Sequence, residues 1–414
     1  MPVTVKKNTV RILHCGDVRL DSPFDATSAA ASEQRRAEVR QTFKNIFDSV
    51  SRMKIDLVLI SGNLFDLRYA TGETVSRLFS AIAACPQTRF FIAPGPYDPL
   101  SSESMYTAFD LPANLYVFTQ NTLKRVEVPE LGLAVCGWAW TDADDSFSPL
   151  AHGIPKGDSD CCLLCGYAST DPKEPVRISV SELEASGAVY AALSTGGHFR
   201  GFQRISDTVY AASGAPEATG YDYEDFGGVN ILLLRRGKNA AKAADNAEEK
   251  DGDNAENPDQ SEKPLTFSLK NGTAALFVRR VRTGVRQYVT KTLDVTPYRT
   301  AAEIEAEVRR IVAEENYGKE TSLRVIYEGH TGPGLTPPSL TGKDISQTAE
   351  FRTVDRSLPD TDEEGYTRDM SIKGELVRAM SPLFTRKDEK SRRSAAKALR
   401  ITFSALDNQD TSHI

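Results

Sequence analysis

Over residues 10–92, short apolar runs alternate with segments whose apolar residues return every three or four positions, and that order constrains the fold more than any other feature. Residues 10–14 read as a buried strand and about 33–53 as a helix with Val39, Phe43, Ile46, Phe47 and Val50 on one stripe. Residues 56–60 form the next expected strand, 75–84 a helix with Leu78, Phe79 and Ile82 inward, and 89–92 a third strand. A β-α-β-α-β order implies a parallel sheet covered by helices. The strands expected later, at 115–118, 133–136, 161–167, 189–193, 208–212 and 229–234, follow one another closely and suggest a second, mixed sheet.

Length and composition set the scale. The 414 residues leave room for two or three domains, and 40% hydrophobic with 26% charged residues exclude a collagenous or fully disordered chain. No apolar run is long enough to span a membrane. The start, with Lys6 and Lys7 running straight into a strand, lacks an export signal, so a cytoplasmic location is expected. The six cysteines have no framework spacing and are expected as thiols. Alternation along the strand turns Cys162 away from Cys161 and Cys165, which argues for buried thiols rather than a zinc site. Cys15 is read as a core thiol too, and no Gly-x-Ser-x-Gly nucleophile elbow is present.

Net charge is −7, but residues 239–262 hold two lysines against eight acids, so the remainder is near neutral. The stretch 236–264 has no aromatic residue and nothing apolar larger than alanine, and is read as an acidic flexible linker. Beyond it lie expected strands at 274–281, 288–294 and 322–327, a helix at 301–315, a Gly/Pro/Thr-rich loop at 331–365 and a helical tail at 372–406 with Ala395, Leu399, Phe403 and Leu406 on one stripe. Two basic stretches stand out: Arg279, Arg280, Arg282, Arg286 and Lys291, and residues 386–400. Each is read first as a solvated face and second as a track for a phosphate backbone.

Ligands of such sheets gather at the carboxyl ends of the strands. The turns found there are His14-Cys15-Gly16-Asp17-Val18-Arg19-Leu20-Asp21, Ser61-Gly62-Asn63-Leu64-Phe65-Asp66, Pro94-Gly95-Pro96-Tyr97-Asp98, Leu164-Cys165-Gly166 and Leu193-Ser194-Thr195-Gly196-Gly197-His198-Phe199-Arg200. Their order and setting resemble the calcineurin-like metallophosphoesterases, and in particular the SbcD-like DNA-repair exonucleases. Residues 20–24, 213–218 and 372–377 also resemble stretches of that group, so the likeness covers nearly the whole chain apart from the linker. It implies an α/β fold: a four-layer α/β/β/α metallophosphoesterase sandwich over 1–235, the linker over 236–264, a smaller α+β capping domain over 265–370 and a C-terminal helical segment over 371–414. It further implies DNA and an SbcC-like coiled-coil ATPase as partners, and a possible homodimer.

The family's chemistry, as the resemblance implies it, uses two Mn(II) ions bridged by a carboxylate to clamp a phosphodiester and activate water. This sequence keeps Asp17 but carries Arg19 at the first histidine position. Asn63 replaces the bridging aspartate, Pro96 the asparagine, Tyr97 the catalytic histidine and Cys165 the lone histidine, while Asp66 and Asp98 are retained as site-lining residues. His198 remains of the final pair and Arg200 takes the other place. The degenerate metal set is therefore Asp17, Asn63, Cys165 and His198. A guanidinium about 4 Å from a divalent ion costs roughly 8 kcal/mol at an effective dielectric near 20, so Arg19 and Arg200 are read instead as phosphate-binding or as structural ion pairs. The leading expectation is an SbcD-like subunit with an eroded site that binds DNA or its ATPase partner with little or no phosphodiesterase activity. The alternatives are an active Mn-dependent exonuclease with a rearranged site, and a scaffold with no nucleic-acid role.

Overall fold

A computed structural model describes residues 7–24, 28–141, 146–171, 173–195, 201–223, 226–237, 240, 265–269, 273–332, 335–359, 368–386 and 388–406. The chain divides into two compact units, Met1–Gln287 and Tyr288–Ile414.

The first unit is α/β with mixed sheets. Strands β1 (Thr9–Cys15), β2 (Leu57–Ile60), β3 (Arg89–Ile92) and β4 (Leu115–Val117) run parallel, joined in their first two crossovers by α1 (Ala29–Arg52) and α2 (Gly72–Ala83). The other side of β1 pairs antiparallel with β11 (Gly228–Arg236), which pairs with β13 (Ala274–Arg282), which pairs with β12 (Leu265–Leu269). A six-stranded sheet holds β5 (Lys124–Val128), β6 (Leu133–Gly137), β7 (Cys162–Tyr167), β8 (Tyr190–Ser194), β10 (Thr208–Ala212) and β9 (Gly201–Ile205), in that order. Its four inner strands are parallel and its two edges antiparallel.

Side-chain alternation builds the cores. On β1, Val10 and Ile12 join Leu59, Leu133, Leu163 and Ala192 in a cluster shared by both sheets, while Leu13 and Cys15 join the inward stripes of α1 and α2. The outer face of the six-stranded sheet packs Cys136, Trp138, Cys162 and Leu164 with Leu183 of α3 (Val180–Ser186).

The expected boundary at 235/265 is corrected. β12 and β13 complete the larger sheet, and the units part at Gln287 and Tyr288. The linker joins β11 to β12, which flank β13 on its two sides, and closure entropy rises so slowly with loop length that such pairing survives a long insertion. Of the linker itself, Arg236 ends β11 and Ala240 is buried; 238–239 and 241–264 lie outside the described residues. Three strands of this unit, β5, β9 and β12, have no counterpart among those expected from the sequence.

The first basic stretch is also corrected, because Arg280 and Arg286 are buried. Arg286 and Arg35, 3% and 1% exposed, pair with Glu38, and Glu217 receives the backbone N–H groups of Val285 and Arg286 at 2.9 and 2.8 Å and the Thr42 hydroxyl at 2.7 Å. The 213–218 segment thus anchors α1 to the turn after β13.

In the second unit, a sheet of β14 (Gln287–Asp294), β15 (Thr321–Glu328) and β17 (Glu350–Asp355) shares a core with Ile304, Val308 and Val312 of α4 (Ala301–Glu314). The expected loop at 331–365 contains β17, and short strands β16 (His330–Thr331) and β18 (Leu358–Pro359) pair with each other. The helical tail is two helices, α5 (Ile372–Phe384) and α6 (Glu389–Leu406). Ala395 and Leu399 are buried as the stripe requires, whereas Leu406 is 40% exposed. Among the described residues, no helix is long and apolar enough to cross a membrane.

Candidate functional site

The turns after β1, β2 and β3 meet as an extension of the parallel sheet. Asp17 N–H donates to the Gly62 carbonyl at 2.9 Å, Arg19 N–H to Asn63 at 2.8 Å and Leu20 N–H to Leu64 at 2.9 Å. To follow that path the backbone is left-handed at Asp17, Arg19, Asp21 and Asn63, with φ between 51° and 67°. Asp and Asn enter this region readily; for arginine it costs on the order of 1–2 kcal/mol.

Asp98 is the hub that holds the second and third turns together. Its buried carboxylate accepts from the backbone N–H groups of Asn63 (3.0 Å), Leu64 (2.8 Å) and Gly95 (2.7 Å) and from the Tyr106 hydroxyl (2.6 Å). Burial lifts its pKa to about 6, against the pull of Tyr106 and the backbone donors. Asp66 likewise fastens loops, accepting from the Ser22 hydroxyl at 2.6 Å and the Arg68 N–H at 3.3 Å.

Asn63 occupies the centre. Its Nδ2 donates to Asp17 Oδ1 at 2.7 Å, and its Oδ1 accepts from the Tyr97 N–H at 3.0 Å. An aspartate at this position would lose the donor and set two carboxylates against each other. A Cβ on Gly95 would run into the Asn63 amide, so this turn needs glycine there. Arg19 lies over the Tyr97 ring with Cζ 4.0 Å from its centre, a cation–π contact, and its buried Nε has no acceptor among the described residues.

Tyr167, on the strand that carries Cys165, was missed by the sequence reading. Its Cβ lies against the second turn, 3.2 Å from where a Cβ on Gly62 would stand, and its pKa is pushed well up, first by burial and then by the charges of Asp17 and Glu174, with Arg19 opposing. The signal was adjacency: it follows Cys165-Gly166 directly.

Beneath the turns runs a buried polar chain. His14 shares the β1 face of Val10 and Ile12 and meets the Tyr190 hydroxyl through Nδ1 at 2.8 Å and the Ser61 hydroxyl through Nε2 at 3.0 Å. Ser61 and Ser194 Oγ atoms are 3.1 Å apart, and Asn230 Nδ2 reaches the Tyr190 hydroxyl at 3.4 Å. Burial drives the His14 pKa down to about 3, so the ring is neutral. A Cβ on Gly16 would strike the Ser194 and Ser61 hydroxyls.

Among the described residues, the donors do not fit two divalent cations. Asp17 and Asn63 are brought together but are bonded to each other. Cys165 is fully buried in the core between the sheets, its Sγ 3.6 Å from the Ile60 carbonyl and its pKa raised mainly by burial. Cys15 behaves as the expected core thiol, with burial pushing its pKa to about 12. Among the described residues no three His, Cys, Asp or Glu side chains cluster as a metal site. His198 and Arg200 lie outside the described residues. What the described arrangement can do is present one guanidinium, stacked on the Tyr97 ring, to an anion.

No protein-family model matches the sequence, and no curated protein matches it. Among solved structures the chain is similar to Vacuolar Protein Sorting 29 from Cryptosporidium parvum, at 11% identity over 67% of this chain and 100% of that one, with a TM-score of 0.26. At that distance the likeness says nothing about the site.

Proposed function

We propose that the first unit is a four-layer metallophosphoesterase sandwich of the SbcD-like kind, and that its eroded site holds a phosphodiester of DNA without cleaving it. The observation that carries this reading is the 2.7 Å hydrogen bond from Asn63 to Asp17, which joins directly the two positions that the family would bridge through metal. An amide that donates replaces a carboxylate that ligates, and the positive charge falls to Arg19, which is stacked on Tyr97 and whose buried Nε has no acceptor among the described residues. Arginine suits a phosphate oxygen pair, and the Tyr97 phenol beneath it adds a donor without charge.

The second unit supports the accompanying ATPase partner. Met370, Ile372, Ile401 and Leu406 are exposed apolar residues on or beside α5 and α6, where the resemblance puts the docking surface for an SbcC-like protein. Binding to double-stranded DNA, measured by fluorescence anisotropy over a salt series, tests the main claim. Arg19→Ala is expected to weaken binding and to reduce the log–log salt slope by about 0.9, the value for one lost phosphate contact. DNA association absent at low salt, or equal in wild type and Arg19→Ala, overturns it.

A further inference from the structure

β6 and β7 are parallel neighbours, in the register Ala134↔Cys162 and Cys136↔Leu164. The pleat divides their cysteines: Cys165, with Cys161 just before β7, enters the core between the sheets, whereas Cys136 and Cys162 share the opposite face with Leu164, Trp138 and Leu183. There the two Sγ atoms are 2.9 Å apart, with both residues in the thiol state. A disulfide needs about 2.05 Å, so the sulfurs have less than ~1 Å to close.

The next strand brings a cation to the same place. Arg125 on β5 stands opposite Cys136 and is fixed by Glu127 (2.7 Å), the Ser159 carbonyl (2.5 Å) and the Pro155 carbonyl (3.3 Å). Burial works against the Arg125 charge, but the Glu127 hydrogen bond and the attraction of Cys162 and Cys136 outweigh it and hold its pKa above the ordinary value. The guanidinium in turn stabilises negative charge on sulfur, the form that attacks an oxidant.

We propose that Cys136 and Cys162 are a reversible dithiol–disulfide pair oxidised by hydroperoxides. Cys162 is 5% exposed and Cys136 fully buried, so Cys162 attacks first. Its thiolate takes one peroxide oxygen as the O–O bond breaks, giving a sulfenic acid and releasing an alcohol. The Cys136 sulfur then attacks the Cys162 sulfur, and the hydroxyl leaves as water. Two thiols lose two electrons and two protons, and the peroxide becomes one alcohol and one water; a small dithiol reverses the change.

Trypsin cuts after Arg125, Lys156 and Lys173, so Cys136 and Cys162 fall in different peptides. The full-length protein is treated with cumene hydroperoxide, its free thiols are blocked with iodoacetamide, and the unreduced digest is read by fragmenting mass spectrometry. The expected product is one linked peptide pair, lighter by two hydrogens and cleaved by dithiothreitol. It persists in Cys161→Ser and Cys165→Ser, disappears in Cys162→Ser and Cys136→Ser, and forms more slowly in Arg125→Gln. If a serine variant fails to fold, fragment ions of the wild-type link still distinguish Cys162 from Cys161 and Cys165. A link through Cys161 or Cys165, oxidation of Cys162 without a link, or no link until the protein is denatured overturns the proposal.

Discussion

At Asn63 one amide does two jobs, donating to Asp17 and accepting from the Tyr97 N–H. Asn63→Asp keeps the volume but places a second carboxylate beside Asp17. Two such charges about 4 Å apart repel by about 4 kcal/mol at an effective dielectric near 20, and one carboxyl pKa rises in response. A raised acid pKa means that the native state binds the extra proton, so the penalty is absent in acid and grows as pH rises through that value. Thermal unfolding of Asn63→Asp is therefore expected to show a Tm below that of the wild type at pH 7, a difference that closes in acid. Added Mn(II) is expected to raise the Tm of the variant and leave the wild type unchanged; a wild-type Tm that climbs with Mn(II) contradicts this. Arg19, Asn63, Tyr97 and Cys165 were legible because each sits in a short polar or glycine-containing turn at a strand end. Tyr106 and Tyr167 were not, because a tyrosine becomes part of a site only when the fold decides which strand ends converge.

Four strand ends share His14, which joins β1 to Ser61 just past β2, to Tyr190 on β8 and, through it, to Asn230 on β11. Its pKa of about 3 in the fold, against 6.5 for an ordinary histidine, gives the sign of a pH effect. Below pH 6.5 the unfolded chain binds a proton that the native ring refuses, so stability is full above that pH and falls as pH drops toward 3. The loss reaches about 4 to 5 kcal/mol. Urea unfolding of wild type and His14→Asn at pH 7 and pH 4.5 measures it, and the variant is expected to lose less stability on acidification than the wild type. Equal pH dependence in both contradicts the role given to His14. Elements with continuous apolar runs, such as β1, β2 and β3, were readable to within a residue or two. The edge strands β5 (Lys-Arg-Val-Glu-Val) and β9 (Gly-Phe-Gln-Arg-Ile) were not, since half their residues are charged, polar or glycine and only pairing with β6 and β10 makes them strands.

For the molecule as a whole, the unit boundary decides which fragments can stand alone. Leu269, Leu276 and Val278, all fully buried, belong to β12 and β13 and fill the core between the two sheets. Burying side chains of this size contributes about 1.5–3 kcal/mol each, so together they approach the total stability of a domain. A fragment of residues 1–287 is expected to melt cooperatively by circular dichroism, while 1–235, with β11 left as a bare edge, is expected to show no cooperative transition. A cooperative melt of 1–235 contradicts the boundary. The helix-covered parallel sheet and the second mixed sheet were visible in the order of periodicities, but the pairing of β11 with β13 across the acidic insertion leaves no local trace. The central claim is that the turns around Asn63 and Arg19 hold phosphate without hydrolysing it, and a nuclease assay on end-labelled double-stranded DNA in Mn(II) tests it most directly, with Asp17→Ala as the control. Wild type and Asp17→Ala should leave the DNA equally intact; Mn(II)-dependent cleavage that Asp17→Ala abolishes would contradict the account.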